Sequence, residues 1–128
     1  MSYYFSKTID LPFATAVTHV TNKLASKGFG VLTSIDVKQV MKTKLGADFR
    51  PYVILGACNP HLAWRALQAE DKIGTMLPCN VIVTEVSPGK VEVAAVDPAA
   101  SMTAIDNPGL AGIANDVRRL LQDMVSEL

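Results

Sequence analysis

Cysteine is scarce in this chain. Only Cys58 and Cys79 occur in 128 residues, which argues against a disulfide-stapled secreted scaffold and leaves both as expected thiols in a reducing compartment. An excess of charge of either sign is missing too: 12 Lys and Arg balance 12 Asp and Glu, so no strong field draws the chain to nucleic acid or to an anionic membrane. No apolar run approaches the ~20 residues that span a bilayer. The start, Met1-Ser-Tyr-Tyr-Phe-Ser-Lys7, lacks a charged leader followed by an apolar core, so the expectation is a soluble, cytoplasmic protein. A phosphate-binding glycine loop, a serine-nucleophile elbow, paired metal histidines and nucleic-acid motifs are also missing, which lowers the expectation of an enzyme without excluding one and leaves any cofactor unknown.

What is present is a globular composition, 49% hydrophobic and 19% charged, at a length that suits one domain, residues 1–128. Residues 3–9 read as a strand. Asp10 reads as an N-cap with Pro12 in the first turn of a helix carrying Phe13, Val17, Val20 and Leu24, closed by Gly28. Phe29 to Ile35 reads as a second strand. Asp36 and Gln39 resemble a capping box for a short helix that Gly46 stops. Its Lys38, Lys42 and Lys44, with nearby Arg50, read as a solvated face. Tyr52 to Ala57 is apolar throughout and reads as an interior strand buried on both faces, with Gly56 marking a bulge or a close backbone approach. Asn59-Pro60 opens a helix with Leu62, Ala66 and Ala69 inward, while Trp64 falls off that stripe, either under a loop or at an interface. After a connector, Cys79 to Val86 and Val91 to Val96 form a hairpin about Ser87-Pro-Gly-Lys90. Pro108 and Gly109 open a last helix with Leu110, Ile113, Val117, Leu120, Leu121 and Met124 on one face.

The order β-α-β-α-β-α-β-β-α, with its late hairpin, favours an α+β two-layer sandwich: a mostly antiparallel sheet with the first and last helices on one face. A two-residue turn at Pro88-Gly89 sets Val86 opposite Val91, Asn80 opposite Asp97 and Cys79 opposite Pro98. It also sets Glu85 against Glu92, an unfavourable like-charge pair that leaves a one-residue shift open. In that register Cys79, Val81, Val83, Ala94 and Val96 share one face; Ile82, Val86, Val91, Val93 and Ala95 share the other. Both faces are apolar, so the one without helices needs a partner, most simply a second copy in a homodimer.

If the preceding strand is antiparallel, Cys58, Asn59, Cys79, Asn80 and Asp97 meet at one sheet edge, with His61 one turn into a helix. Asparagines and an aspartate there act as caps and turn formers, or fix a polar small molecule by hydrogen bonds. Cys58 immediately precedes a helix start, the position that stabilises a thiolate, so a thiol-dependent enzyme or redox protein using Cys58 with Cys79 is the competing reading. Free cysteines are more often small buried hydrophobes. Cys58, His61 and Cys79 number three N/S ligands, but without a Cys-x-x-Cys knuckle they are not read as a metal site.

By these residues the chain resembles domain-of-unknown-function family 302. The resemblance runs from Gly28-Phe-Gly-Val-Leu32 through Arg50-Pro-Tyr-Val-Ile-Leu-Gly-Ala-Cys-Asn-Pro60 and Leu77-Pro-Cys-Asn-Val81 to Asp97-Pro98, nearly the whole chain. It implies a small two-layer α+β domain similar to half of a TATA-box-binding protein, often a homodimer, with no implication of DNA binding and no established activity. The expectation is therefore a dimeric small-molecule-binding or interaction module.

Overall fold

The computed structural model describes residues 2–128. Five strands, β1 (Tyr4–Ile9), β2 (Gly30–Asp36), β3 (Tyr52–Cys58), β4 (Cys79–Ser87) and β5 (Lys90–Val96), form one sheet in the order β1-β5-β4-β3-β2. Every neighbouring pair is antiparallel. Helices α1 (Phe13–Ser26), α2 (Val37–Leu45), α3 (Pro60–Ala69), α4 (Pro98–Ser101) and α5 (Pro108–Ser126) complete the chain, with a 3₁₀ turn at Asp71–Met76. The α+β class and the late hairpin are as expected. The 3₁₀ turn occupies the stretch expected as a connector, and α4 is a single helical turn between β5 and α5.

Local chemistry sets most boundaries. The Asp36 carboxylate accepts from the Gln39 N–H at 3.0 Å, and Gly46 closes α2 at φ +64°. Asn59 caps α3 through the Leu62 N–H at 3.2 Å, with Pro60 in the first turn. The first helix departs from expectation. Pro12 stands at its cap position with no side-chain cap bond, and Asp10 instead pairs with Lys90 at 2.6 Å, because the β1 end and the hairpin tip lie side by side. Gly56 is a close approach: a Cβ there would stand 2.8 Å from Pro78 Cγ and collide with Thr33 Oγ1.

The hairpin register differs from the simplest one. Ser87 pairs with Lys90, but beyond an irregularity at Val86 the partners are Glu85–Val91, Thr84–Glu92, Val83–Val93, Ile82–Ala94 and Val81–Ala95. One extra residue at the tip shifts the rest of the hairpin by one, and such a shift exchanges the faces of a strand. It separates Glu85 from Glu92 and places Val81, Val83, Val91, Val93 and Ala95 together, all fully buried. At about 2 kcal/mol per buried valine, this alignment outweighs the regular turn.

That face carries the main core, under Ala16, Val20 and Leu24 of α1 and Leu121, Met124 and Val125 of α5. The first and last helices thus pack on one side of the sheet. The opposite face has no such cover at its centre: Tyr52 and Ile54 of β3 are half-exposed rather than buried on both sides. A smaller cluster, Ala66, Ile73, Leu110 and Ile113, forms where α3 leans on the first turns of α5. Ala69, expected inward, is exposed, and Trp64 is 66% exposed, under no loop.

Candidate functional site

Between the main core and the smaller cluster the packing leaves a cavity of about 280 Å³. Ala57 and Cys79, register partners at the ends of β3 and β4, line its sheet side. Leu62 and Ala66 of α3 and Leu110 and Ile113 of α5 line the other. The cavity follows from the path of α3, which packs on α5 and the 3₁₀ turn rather than on the sheet. Its lining is overwhelmingly apolar, so an occupant is held by area and shape, with few polar groups to orient it.

Cys58, Asn59 and Cys79 all border this cavity. The other three residues expected at the site do not. Asn80 is exposed and lies one position from Cys79 along a strand, so pleating directs it to the opposite side of the sheet. His61 is exposed on α3. Asp97 is buried but already engaged: one carboxylate oxygen caps α4 through the N–H groups of Ala99 and Ala100 at 3.0 and 3.4 Å, and the other accepts from Arg118 Nε at 3.1 Å. The expected convergence of Cys58, Asn59, Cys79, Asn80, Asp97 and His61 is therefore corrected. The antiparallel pairing of β3 with β4 brings the two cysteines and Asn59 to one cavity, while strand alternation turns Asn80 away, the cap and Arg118 hold Asp97, and His61 is exposed on α3.

The two thiols differ. Cys79 is buried and Cys58 half-buried. Burial, reinforced by the neighbouring Cys58, pushes the Cys79 thiol up to about 11, so it is protonated at neutral pH and inert as a nucleophile. Cys58 is the last residue of β3, immediately before the Asn59 cap of the ten-residue α3. The side-chain oxygen of Asn59 is taken up by the helix cap, where it accepts from the Leu62 N–H. Among the described residues, no group of three or more His, Cys, Asp or Glu side chains could hold a metal ion, and no helix is long and apolar enough to cross a membrane.

Sequence reasoning missed the cavity's helical wall. Leu62, Leu110 and Ile113 were legible as inward helix positions, but nothing in their spacing says that they face each other across a gap. The available signal was the small residues Ala63 and Ala66 of α3 and Ala114 of α5, which border the cavity without filling it.

No match is found among functionally curated proteins. A crystal structure of an uncharacterised conserved DUF302 protein from Bacillus stearothermophilus is similar to this chain, with 27% identity, 98% of each chain covered and a TM-score of 0.89. The family model "Domain of unknown function DUF302" matches residues 5–128. The same sheet, helices and cysteine-bearing strand ends thus lie within one continuous match, and the chain belongs to the DUF302 family.

Proposed function

We propose that this domain is a small-molecule-binding module whose ligand is an apolar body seated in the cavity between the two hydrophobic clusters. The supporting observation is the cavity itself: about 280 Å³ bordered by Leu62, Ala66, Leu77, Cys79, Leu110 and Ile113, in a protein whose buried polar side-chain atoms all have partners among the described residues. Interiors normally pack to the density of organic crystals, and an apolar void of this size forfeits dispersion contacts that a ligand restores. An apolar rather than a polar ligand is supported by the apolar lining and by Asp97 being engaged in its cap and with Arg118. Titration with the fluorescent apolar probe N-phenyl-1-naphthylamine tests this reading. Saturable enhancement is expected for the wild type and its loss for Ala66→Phe, which fills the space. Unsaturable or equal enhancement in both would remove the proposal.

A thiol-dependent activity remains a second reading, favoured by the position of Cys58 at the same cavity and before a helix start. In this reading Cys58 alone is the nucleophile, and buried Cys79 supports it. Iodoacetamide labelling across pH decides it: a Cys58 that reacts only near the ordinary thiol range of about 8.5 ends the reading.

A further inference from the structure

The uncovered sheet face has an organisation that the apolar cavity does not use. Antiparallel register sets its residues in rows running across the strands. One row is polar, Tyr52–Thr84–Glu92–Thr8; the next is Ile54–Ile82–Ala94–Ser6. Ala94 beside Ile82 makes a low point, and a trough of about 390 Å³ lies over them, walled by Tyr4, Tyr52 and Val96 and reaching Glu92. Adjacent rows on one face are about 7 Å apart, which is the reach of a short aromatic side chain.

Arg50 stands over the polar row and is held there. Its Nε donates to Thr84 Oγ1 at 3.0 Å, and Thr84, 2% exposed, donates in turn to the Pro51 carbonyl at 3.0 Å. The guanidinium carbon lies 4.6 Å from the Phe49 ring centre and 5.5 Å from that of Tyr52. Among the described residues neither Arg50 nor Glu92 forms an ion pair. The other guanidinium groups, Arg65, Arg118 and Arg119, each do, while Lys7, Lys23, Lys38 and Lys44 are likewise outside the ion pairs. Thr84 is the register partner of Glu92 and the anchor of Arg50. A fixed cation and a carboxylate thus flank one threonine without neutralising each other. Such a guanidinium has its terminal nitrogens preset for a carboxylate.

We propose that this face binds a small zwitterion with an aromatic or branched apolar side chain, a free amino acid in chemical class. Its carboxylate meets Arg50, its ammonium meets Glu92, and its side chain lies in the tyrosine-walled trough over Ile82 and Ala94. Glu92 borders the trough, and Arg50 stands beyond its lining, anchored on Thr84, the register partner of Glu92; two opposite charges beside an apolar floor match this occupant. A purely cationic ligand would leave Arg50 unanswered, and a purely anionic one Glu92. The site is separate from the cavity between the clusters, being on the other side of the sheet.

Amide resonances of the full ¹⁵N-labelled chain, titrated with L-phenylalanine, test the proposal. Saturable shifts are expected at Ile82, Thr84, Glu92 and Ala94. Phenethylamine, which lacks the carboxylate, and 3-phenylpropionate, which lacks the ammonium, are each expected to bind at least about tenfold more weakly, the loss of one charge-assisted contact. Arg50→Gln is expected to abolish the preference over phenethylamine, and Glu92→Gln the preference over 3-phenylpropionate. Three outcomes overturn the inference: no saturable shift on this face, shifts confined to residues around the cavity between the clusters, or a dimer by light scattering whose second copy already protects these amides.

Discussion

Cys79 shows how one position in a fold changes what a side chain can do. As a free residue it is an ordinary thiol; at the end of β4, among Ala57, Val81 and the α5 side chains, it is a small core hydrophobe. Its thiol is raised from 9.0 to about 11 by burial, so the folded protein holds the proton more tightly than the unfolded chain. The associated stability is complete below about pH 9 and is lost as the pH rises through about 11. Urea midpoints are therefore expected to fall across that window by an amount worth roughly 2 kcal/mol, less the contribution of residual solvent access. Cys79→Ala should flatten the fall. An unchanged pH profile in the variant would show that other groups control it.

Among the elements, the last helix and the segment before it depend on Asp97. Its carboxylate caps α4 and pairs with Arg118, which also lies over the Phe5 ring at 5.2 Å. Four residues of helix cannot hold their shape alone, so the cap and the ion pair together fix the path from β5 into α5. Asp97→Ala removes both and is expected to lower unfolding free energy by about 1–3 kcal/mol. Asp97→Asn keeps an oxygen for the cap and should lose less. Equal losses in chemical denaturation would mean that the charge, not the cap, dominates. The caps at Asp36 and Asn59 were more legible than the cap expected at Asp10, because a side chain–Pro or side chain–x–x–Gln pattern leaves few other uses for the polar group. Asp10 had an alternative in Lys90, 80 residues away, which no local pattern reveals.

At the scale of the molecule, two hydrophobic clusters share α5: its end packs on the sheet and its start packs on α3. The smaller cluster has four buried members, Ala66, Ile73, Leu110 and Ile113, against a main core whose buried members come chiefly from three strands, β3, β4 and β5, and from α1 and α5. Hydrogen exchange is expected to open α3 and the 3₁₀ turn before β4 and β5, since local stability follows buried apolar contact. Protection of Ala66 equal to that of Val83 would show that the two clusters unfold as one. A seam between units of unequal stability is also where a cavity opens most easily to admit a ligand.

The number of strands, most of the helix spans and the caps at Asp36 and Asn59 were determined by local chemistry and periodicity. These depend on neighbours within a few residues, and a single sequence contains those neighbours. The hairpin register, the cavity and the rows of the open face were decided only by tertiary structure. Val86 enters the bulge because the resulting alignment buries Val81, Val83, Val91, Val93 and Ala95 beneath α1 and α5, a gain that exists only once those helices are in place. Cys58 and Cys79 meet at one cavity because β3 and β4 run antiparallel, while Asn80, next to Cys79 in sequence, is carried away by strand alternation, and Asp97, at the end of β5, is held by its cap and Arg118. Sequence order could nominate these residues; only packing could sort those that face a cavity from those that hold the fold together.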